Sequence, residues 1–227
     1  MHSRKIGLFG GSFNPIHYGH LQVAEQTRER LQLDHVYFIP TGDPPHKPRA
    51  SLVPAHHRLQ MVKLALQGHP HFSIIDLEAC SSDISYTYDT LKKIRRELFP
   101  HEQFFFIVGL DAFIEFPTWK QAETLLTLSS FVIISRPGTH FTSLSHIRGI
   151  PHFSASALDQ LDNGQTTMDT IPLTPQTELI LLGLPPCSIS ASLIRDRLTK
   201  GFPLQDWLPA SVESYILKSN LFPNQKG

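Results

Sequence analysis

Two histidines, His17 and His20, stand three residues apart at the end of a glycine-rich run, Gly10-Gly11-Ser12-Phe13-Asn14-Pro15-Ile16-His17-Tyr18-Gly19-His20. On a helix that spacing puts both imidazoles on one face of the first turn. Gly19 between them leaves room for close approach of a ligand. Backbone N–H groups of the Gly10, Gly11 and Ser12 turn, and of the helix start behind it, favour anions. The chemistry this predicts is a phosphate site in which His17 and His20 donate hydrogen bonds. A bare His-x-x-His is weak, being more often a surface pair, but the eleven-residue string is far more specific.

Such a site needs elements to hold it. The apolar run Ile6-Gly7-Leu8-Phe9 reads as a buried first strand, and Leu21, Ala24 and Leu31 suit one face of a helix. A strand-to-helix crossing is where an open parallel sheet binds ligands. Further strands are predicted at 36–40, 72–77, 103–108, 131–135 and 179–182, and the continuous apolarity of 103–108 suits a central strand buried on both faces. Helices are predicted around Leu59, Val62 and Leu66, stopped by Gly68 and Pro70, and over 87–98, 190–200 and 209–218. Gly201 is the expected C-terminal cap of the third of these. This alternation predicts an α/β fold, a Rossmann-like doubly wound parallel sheet. The length of 227 residues fits a single domain, residues 1–227, with a small C-terminal helical part at 188–222. Residues 138–176, rich in Ser, Thr, His, Pro and Asp, are expected to be a surface excursion between the fifth and sixth strands.

Other candidates cluster at predicted strand ends and helix starts. Pro44-Pro45-His46-Lys47 follows the second strand, where Lys47 supplies a mobile charge for a phosphate or merely decorates a stiff turn. Ser85 or Thr87 can cap the helix that starts near Thr87, and free N–H groups there can hold a ligand carboxylate. Gly109 ends the fourth strand and allows backbone approach to a base or ribose. Asp111 accepts from ribose hydroxyls, helps position magnesium, or is simply a helix-start acid. Arg136 ends the fifth strand and can pair with a phosphate or only snorkel. Trp119 reads as core packing from its type alone. Ser188 and Ser190 precede a helix that carries Arg195, so their hydroxyls can cap it or donate to phosphates.

Taken together, these strings resemble the nucleotidyltransferases that carry a His-x-Gly-His motif, and the GGSFNPIH form is most similar to the nicotinate mononucleotide adenylyltransferases. The resemblance covers residues 5–222 nearly throughout, with little in 138–176. Ile189-Ser190-Ala191-Ser192-Leu193-Ile194-Arg195 resembles the second motif of that superfamily, which grips the ATP triphosphate. Ala191 and Ser192 stand where other members carry Ser and Thr, which leaves Ser190 and Arg195 as the main candidates. The resemblance implies that the Pro-Pro-His-Lys loop closes over the mononucleotide, that nicotinate is recognised at Thr87 and the following backbone, and that Trp119 stacks on the pyridine ring. It implies ATP as substrate, Mg²⁺ bound with it, and adenylyl transfer to nicotinate mononucleotide, with nicotinamide mononucleotide or another phosphate as the alternative acceptor and a non-catalytic nucleotide sensor as the alternative of another class. An aminoacyl-tRNA synthetase core is disfavoured because a Lys-Met-Ser-Lys-Ser-like loop is lacking.

Composition limits the remaining classes. Twenty basic and twenty acidic residues give a formal net charge of zero, which argues against a general affinity for nucleic acid. The apolar runs are too short to span a bilayer. Two distant cysteines, Cys80 and Cys187, give neither a disulfide framework nor a zinc spacing. A cytoplasmic location without a signal peptide is expected. The adjacent pairs His56 and His57, and His69 and His71, lack the companions of a metal site, so no protein-held metal is expected.

Overall fold

The computed structural model describes residues 3–42, 52–81, 83–204 and 206–223. The strands are β1 (Lys5–Gly11), β2 (His35–Pro40), β3 (Phe72–Ile74), β4 (Gln103–Gly109), β5 (Ser130–Ile134), β6 (Met168–Pro172) and β7 (Glu178–Leu182). The helices are α1 (Tyr18–Leu31), α2 (Ala55–Ala65), α3 (Thr87–Glu97), α4 (Leu110–Phe113), α5 (Ala122–Leu128), α6 (Ala155–Asp162), α7 (Ala191–Lys200) and α8 (Ala210–Lys218). One sheet runs in the order β3-β2-β1-β4-β5-β7-β6. The pairs β1–β4, β4–β5 and β5–β7 are parallel, with Leu8 opposite Phe106 and Ile107 opposite Val132. The α/β architecture and the mostly parallel sheet agree with the sequence pattern. Among the described residues no helix is long and apolar enough to cross a membrane.

Residues 138–176 depart from expectation. They hold a 3₁₀ segment (Phe141–His146), α6 and β6, and β6 pairs antiparallel with β7, Met168 opposite Leu182 and Pro172 opposite Glu178. This excursion therefore carries a sheet edge. Asp162 anchors it by accepting from the N–H groups of Phe141 and Thr142 at 2.7 and 3.0 Å. Pro172 ends the strand, as proline does at sheet edges.

The chain groups into two compact units. The first comprises Met1–Gly10, Gln26–Val36 and Tyr86–Cys187. Its core follows from β4 and β5, whose continuous apolar runs are buried on both faces. On one side the rings of Phe106, Phe113, Phe116 and Phe131 form a cluster with centroids 4.8 to 5.9 Å apart. Trp119 extends it, its ring edge-on to Phe106 at 6.4 Å and tilted against Phe116 at 5.5 Å. Contacts of this kind add about 0.5–1.5 kcal/mol each beyond area burial, so the Trp119 ring is held by packing rather than by chance. α3 is amphipathic, burying Thr90, Leu91 and Ile94, and its Arg95 guanidinium lies 3.8 Å from the Phe104 ring centroid while donating to the Leu128 carbonyl at 3.1 Å.

The second unit comprises Gly11–Glu25, Tyr37–Ser85 and Ser188–Gly227. Phe13, Phe38 and Phe72 form its aromatic core, with centroids 5.6 and 5.4 Å apart in sequence. α2 buries Arg58, Leu59, Met61, Val62 and Ala65 and packs against α8. The sequence signals at its C-terminal end act as predicted. Ser190 caps α7 by accepting from the Leu193 N–H at 3.3 Å, Gly201 ends it in the left-handed conformation at φ +72°, and Pro209 precedes α8.

Candidate active site

The turn at Gly10, Gly11 and Ser12 leaves the carboxyl end of β1 and continues into the second unit. Phe13 takes the left-handed conformation at φ +44° and the Asn14–Pro15 peptide is cis. Phe13 is 1% exposed, so its ring anchors the turn, while the Ser12 side of the turn stays half-buried. A Cβ at Gly11 would lie 3.0 Å from that ring, and one at Gly10 would lie 3.0 Å from the Phe106 ring within the first unit. Both glycines therefore make room for packed aromatic rings.

α1 starts immediately afterwards, with His17 as its N-terminal flank. The His17 main-chain N–H donates to Nδ1 of His20 at 3.2 Å. This is the reciprocal half of a capping box, with histidine in the place usually taken by Glu or Gln. With Nδ1 accepting, the proton of the neutral His20 ring sits on Nε2. The two rings lie 3.7 Å apart at 32°, and the His20 ring meets Phe13 edge-on at 5.1 Å. His17 and His20 are thus brought together as predicted. The start of α1 is also tied to the segment before α8, where the Tyr18 N–H donates to the Trp207 carbonyl at 3.0 Å.

Arg195 joins this cluster from α7. Its Nη1 donates to the Asn14 carbonyl at 2.8 Å and its Nη2 to Ser192 Oγ at 3.2 Å. Burial lowers its pKa from the ordinary arginine value, yet a guanidinium stays charged at neutral pH. Ser190 uses its hydroxyl as the cap already described, and Ser188 lies exposed before it. Sequence reasoning missed Arg58 on α2, which donates to the Ser12 carbonyl at 2.9 Å. Lys47 and its loop lie outside the described residues.

In the first unit Gly109 leads from β4 into α4, and Asp111 stands in the first turn of that helix. Arg136, beyond β5, places Nη1 3.5 Å from Asp111 Oδ2. A Cβ at Gly109 would press on both the Asp111 carboxylate and the Arg136 guanidinium, 3.2 Å from Nε of the latter, so any other residue there would make these side-chain ends shift. Both side chains are half-exposed, and an ion pair of this kind contributes only about 0–1 kcal/mol. The pair is therefore broken at little cost. Thr87 opens α3, but neither Ser85 nor Thr87 caps the helix. The N-cap is Tyr86, without a side-chain cap bond, because the extended Tyr86 backbone takes the position that a Ser85 or Thr87 cap would need. Asp89 in the same turn pairs with Lys120 at 2.7 Å, and the Lys120 ammonium also lies 5.0 Å from the Tyr86 ring centroid. Neither contact was legible from spacing. Among the described residues no group of three His, Cys, Asp or Glu side chains converges where it could hold a metal ion.

Comparison with known proteins decides the family. Residues 8–197 match the cytidylyltransferase-like family. A probable nicotinate-nucleotide adenylyltransferase of Desulfitobacterium hafniense is 37% identical over 219 residues, 96% of each chain. One of Dehalococcoides mccartyi is 36% identical over 225 residues, 99% of this chain and all of its own. The chain belongs to the nicotinate-nucleotide adenylyltransferases. Among solved structures it is similar to the Plasmodium falciparum nicotinic acid mononucleotide adenylyltransferase complexed with NaAD, at a TM-score of 0.68 and 26% identity over 96% of this chain and 97% of the other. The same Plasmodium falciparum enzyme complexed with APC matches at a TM-score of 0.66. For a nicotinate-nucleotide adenylyltransferase the arrangement of Asn14, His17, His20 and Arg195 is chemically apt. It brings two imidazoles and a guanidinium to one helix start, and those groups suit a polyphosphate.

Proposed function

We infer that this protein transfers the adenylyl group of ATP to nicotinate mononucleotide, giving nicotinate adenine dinucleotide and pyrophosphate in NAD biosynthesis. The observation that carries the reading is the His17–His20 pair at the start of α1, with the His20 ring oriented by the His17 N–H at 3.2 Å.

A phosphate monoester has a second pKa of about 6 and is mostly dianionic at neutral pH. It attacks the α-phosphorus without a general base. The new bond is from the mononucleotide phosphate oxygen to the α-phosphorus, and the bond to the bridging oxygen breaks as pyrophosphate leaves. Catalysis then rests on positioning and on stabilising charge at the transferred group. We assign His17 and His20 to hydrogen bonding of the phosphoryl and leaving oxygens. Gly10, Gly11 and Ser12 are assigned to holding the phosphate through the turn. Ser188, Ser190 and Arg195 are assigned to the ATP triphosphate, and Gly109 and Asp111 to the adenosine part. Lys47, Thr87, Trp119 and Arg136 are assigned to the mononucleotide, with the open start of α3 favouring a nicotinate anion over an amide. Among the described residues Asp111 is a side chain that would help hold a Mg²⁺ ion bound with ATP, and such an ion would supply neutralisation of phosphate charge. A cytoplasmic location is supported by the composition and the soluble substrates.

The test is pyrophosphate release by the purified protein with MgATP and, in parallel, nicotinate mononucleotide, nicotinamide mononucleotide and phosphopantetheine. Preference for the nicotinate form is expected. Preference for another acceptor refutes the specificity, and tight ATP binding without turnover on any acceptor refutes the transferase reading.

A further inference from the structure

Arg58 belongs to none of the motifs, yet it is 1% exposed and is the largest fully buried side chain among the described residues. Its Nε donates to the Val53 carbonyl at 3.0 Å, Nη1 to the Ser12 carbonyl at 2.9 Å and to Thr41 Oγ1 at 3.4 Å, and Nη2 to the Gly42 carbonyl at 2.7 Å. A further bond joins the same neighbourhood, from the Val53 N–H to Asn14 Oδ1 at 3.2 Å. One guanidinium therefore gathers the phosphate turn, the segment just after β2 and the residue leading into α2. Burying a charge is costly, and an apolar side chain of similar volume would fill the same space. Packing alone does not call for arginine at this position.

The peptide geometry shows what the arginine fixes. In a trans peptide the carbonyl and the next N–H point in opposite directions, and the only cis bond among the described residues is Asn14–Pro15. Holding the Ser12 carbonyl toward Arg58 thus turns the Phe13 N–H away from Arg58. Phe13 sits at φ +44°, a conformation that a non-glycine residue keeps only where its surroundings over-determine it. The buried ring, 5.6 Å from Phe38, supplies the apolar restraint, and the Ser12–Arg58 bond supplies the polar one. The same ring meets His20 edge-on at 5.1 Å, so the pose of the turn reaches the imidazole.

We propose that Arg58 is a positioning residue for adenylyl transfer, holding the Ser12 carbonyl and through it the Phe13 backbone and the His20 ring, without touching substrate. The proposal rests on the functional reading above. It requires arginine rather than lysine, because three carbonyls around one planar fork cannot be matched by a compact ammonium.

The experiment compares Arg58→Lys and Arg58→Met with the wild type and with Ile216→Val, a buried substitution in α8 that serves as a stability control. Steady-state kinetics with MgATP and nicotinate mononucleotide are read alongside ¹⁵N-histidine spectra of the His20 ring. Both Arg58 variants are expected to lose on the order of 10²-fold in kcat, the scale of an ångström-sized misplacement, with both KM values within about threefold of wild type. Their His20 resonances are expected to move, whereas the control alters neither kcat nor the His20 signal. Arg58→Lys keeps the charge and carries the test if Arg58→Met does not fold. A kcat per folded molecule within about threefold of wild type overturns the proposal, as does a fall in kcat with His20 resonances unmoved. A wild type that turns over no phosphate acceptor defeats the functional reading instead, and the positioning claim then stands or falls on the spectra.

Discussion

Replacing His20 tests two roles, one seen in the structure and one proposed for the reaction. Its Nδ1 accepts from the His17 N–H at 3.2 Å, which steadies the start of α1, and its Nε2–H is the donor assigned to the phosphoryl group. His20→Ala removes both. Losing a transition-state donor costs about 10²–10³ in kcat, or about 2.7–4 kcal/mol. Losing the capping acceptor costs about 0.5–2 kcal/mol of stability, which in a chain of this size lowers the thermal midpoint by about 2–4 °C per kcal/mol. His20→Asn separates the two, because its Oδ1 falls where Nδ1 stood while nothing replaces Nε2–H. The expected result is an asparagine variant with a wild-type melting temperature and a kcat as low as that of alanine. His20→Gln, whose amide reaches further, is expected to fall between alanine and wild type. The assays are pyrophosphate release at saturating substrates and thermal unfolding followed by circular dichroism. Near-normal turnover by a folded His20→Asn or His20→Ala variant would remove the donor from the mechanism. Equal melting temperatures for all four proteins would refute the capping argument.

Two further outcomes follow from the structure. Trp119→Ala is expected to raise KM for the mononucleotide about tenfold, or about 1.4 kcal/mol, while KM for ATP stays unchanged, because the ring is fixed on Phe106 and Phe116 with one side half-exposed; an equal rise for ATP would sink the assignment. His57 is held below its ordinary value of 6.5, by burial first and by His56 second, and its Nδ1 lies 2.8 Å from the Tyr215 hydroxyl between α2 and α8. A histidine with a lowered folded pKa gives stability that is present above its unfolded value and is lost as pH falls through the folded one, so the wild-type melting temperature should drop more steeply from pH 7 to pH 5 than that of His57→Gln, and parallel curves would contradict this.

How much of this was legible depended on whether the signal was local. The β4 run Phe104–Val108 announces a central strand because burial on both faces needs no polar alternation. Ser190, Gly201 and Pro209 announce the ends of α7 and α8 because caps act within a few residues. β6 was invisible because it reads Met168-Asp169-Thr170-Ile171-Pro172, a weak alternation that becomes a strand only by pairing with β7 about ten residues further on. The N-cap of α3 was misassigned for a similar reason: Ser85 and Thr87 are both capping types, but the residue that takes the N-cap position between them is Tyr86, which has no side-chain cap bond. His17, His20 and Arg195 were legible as candidates, but not the contacts that orient them.

Arg58 is the clearest case of a residue hidden from sequence reasoning, and with Arg195 it explains how the turn is built. A phosphate-binding turn must present N–H groups outward, so its carbonyls must find partners behind it. Here the Ser12 carbonyl is taken by Arg58 from α2 and the Asn14 carbonyl by Arg195 from α7. The two arginines flank Phe13, the residue with the strained backbone. They differ in what they have left to give. Arg58 commits three of its nitrogens to the protein in a buried position, which fits a residue that only positions. Arg195 is half-buried and donates once from each Nη, to Asn14 and Ser192, so that of the five N–H donors of a guanidinium most remain for a triphosphate. On this argument Arg195→Lys should weaken ATP binding as well as turnover, whereas Arg58→Lys should reduce turnover alone. Isothermal titration with a non-hydrolysable ATP analogue distinguishes them: loss of affinity in the Arg58 variant, or its retention in the Arg195 variant, would refute this division of roles.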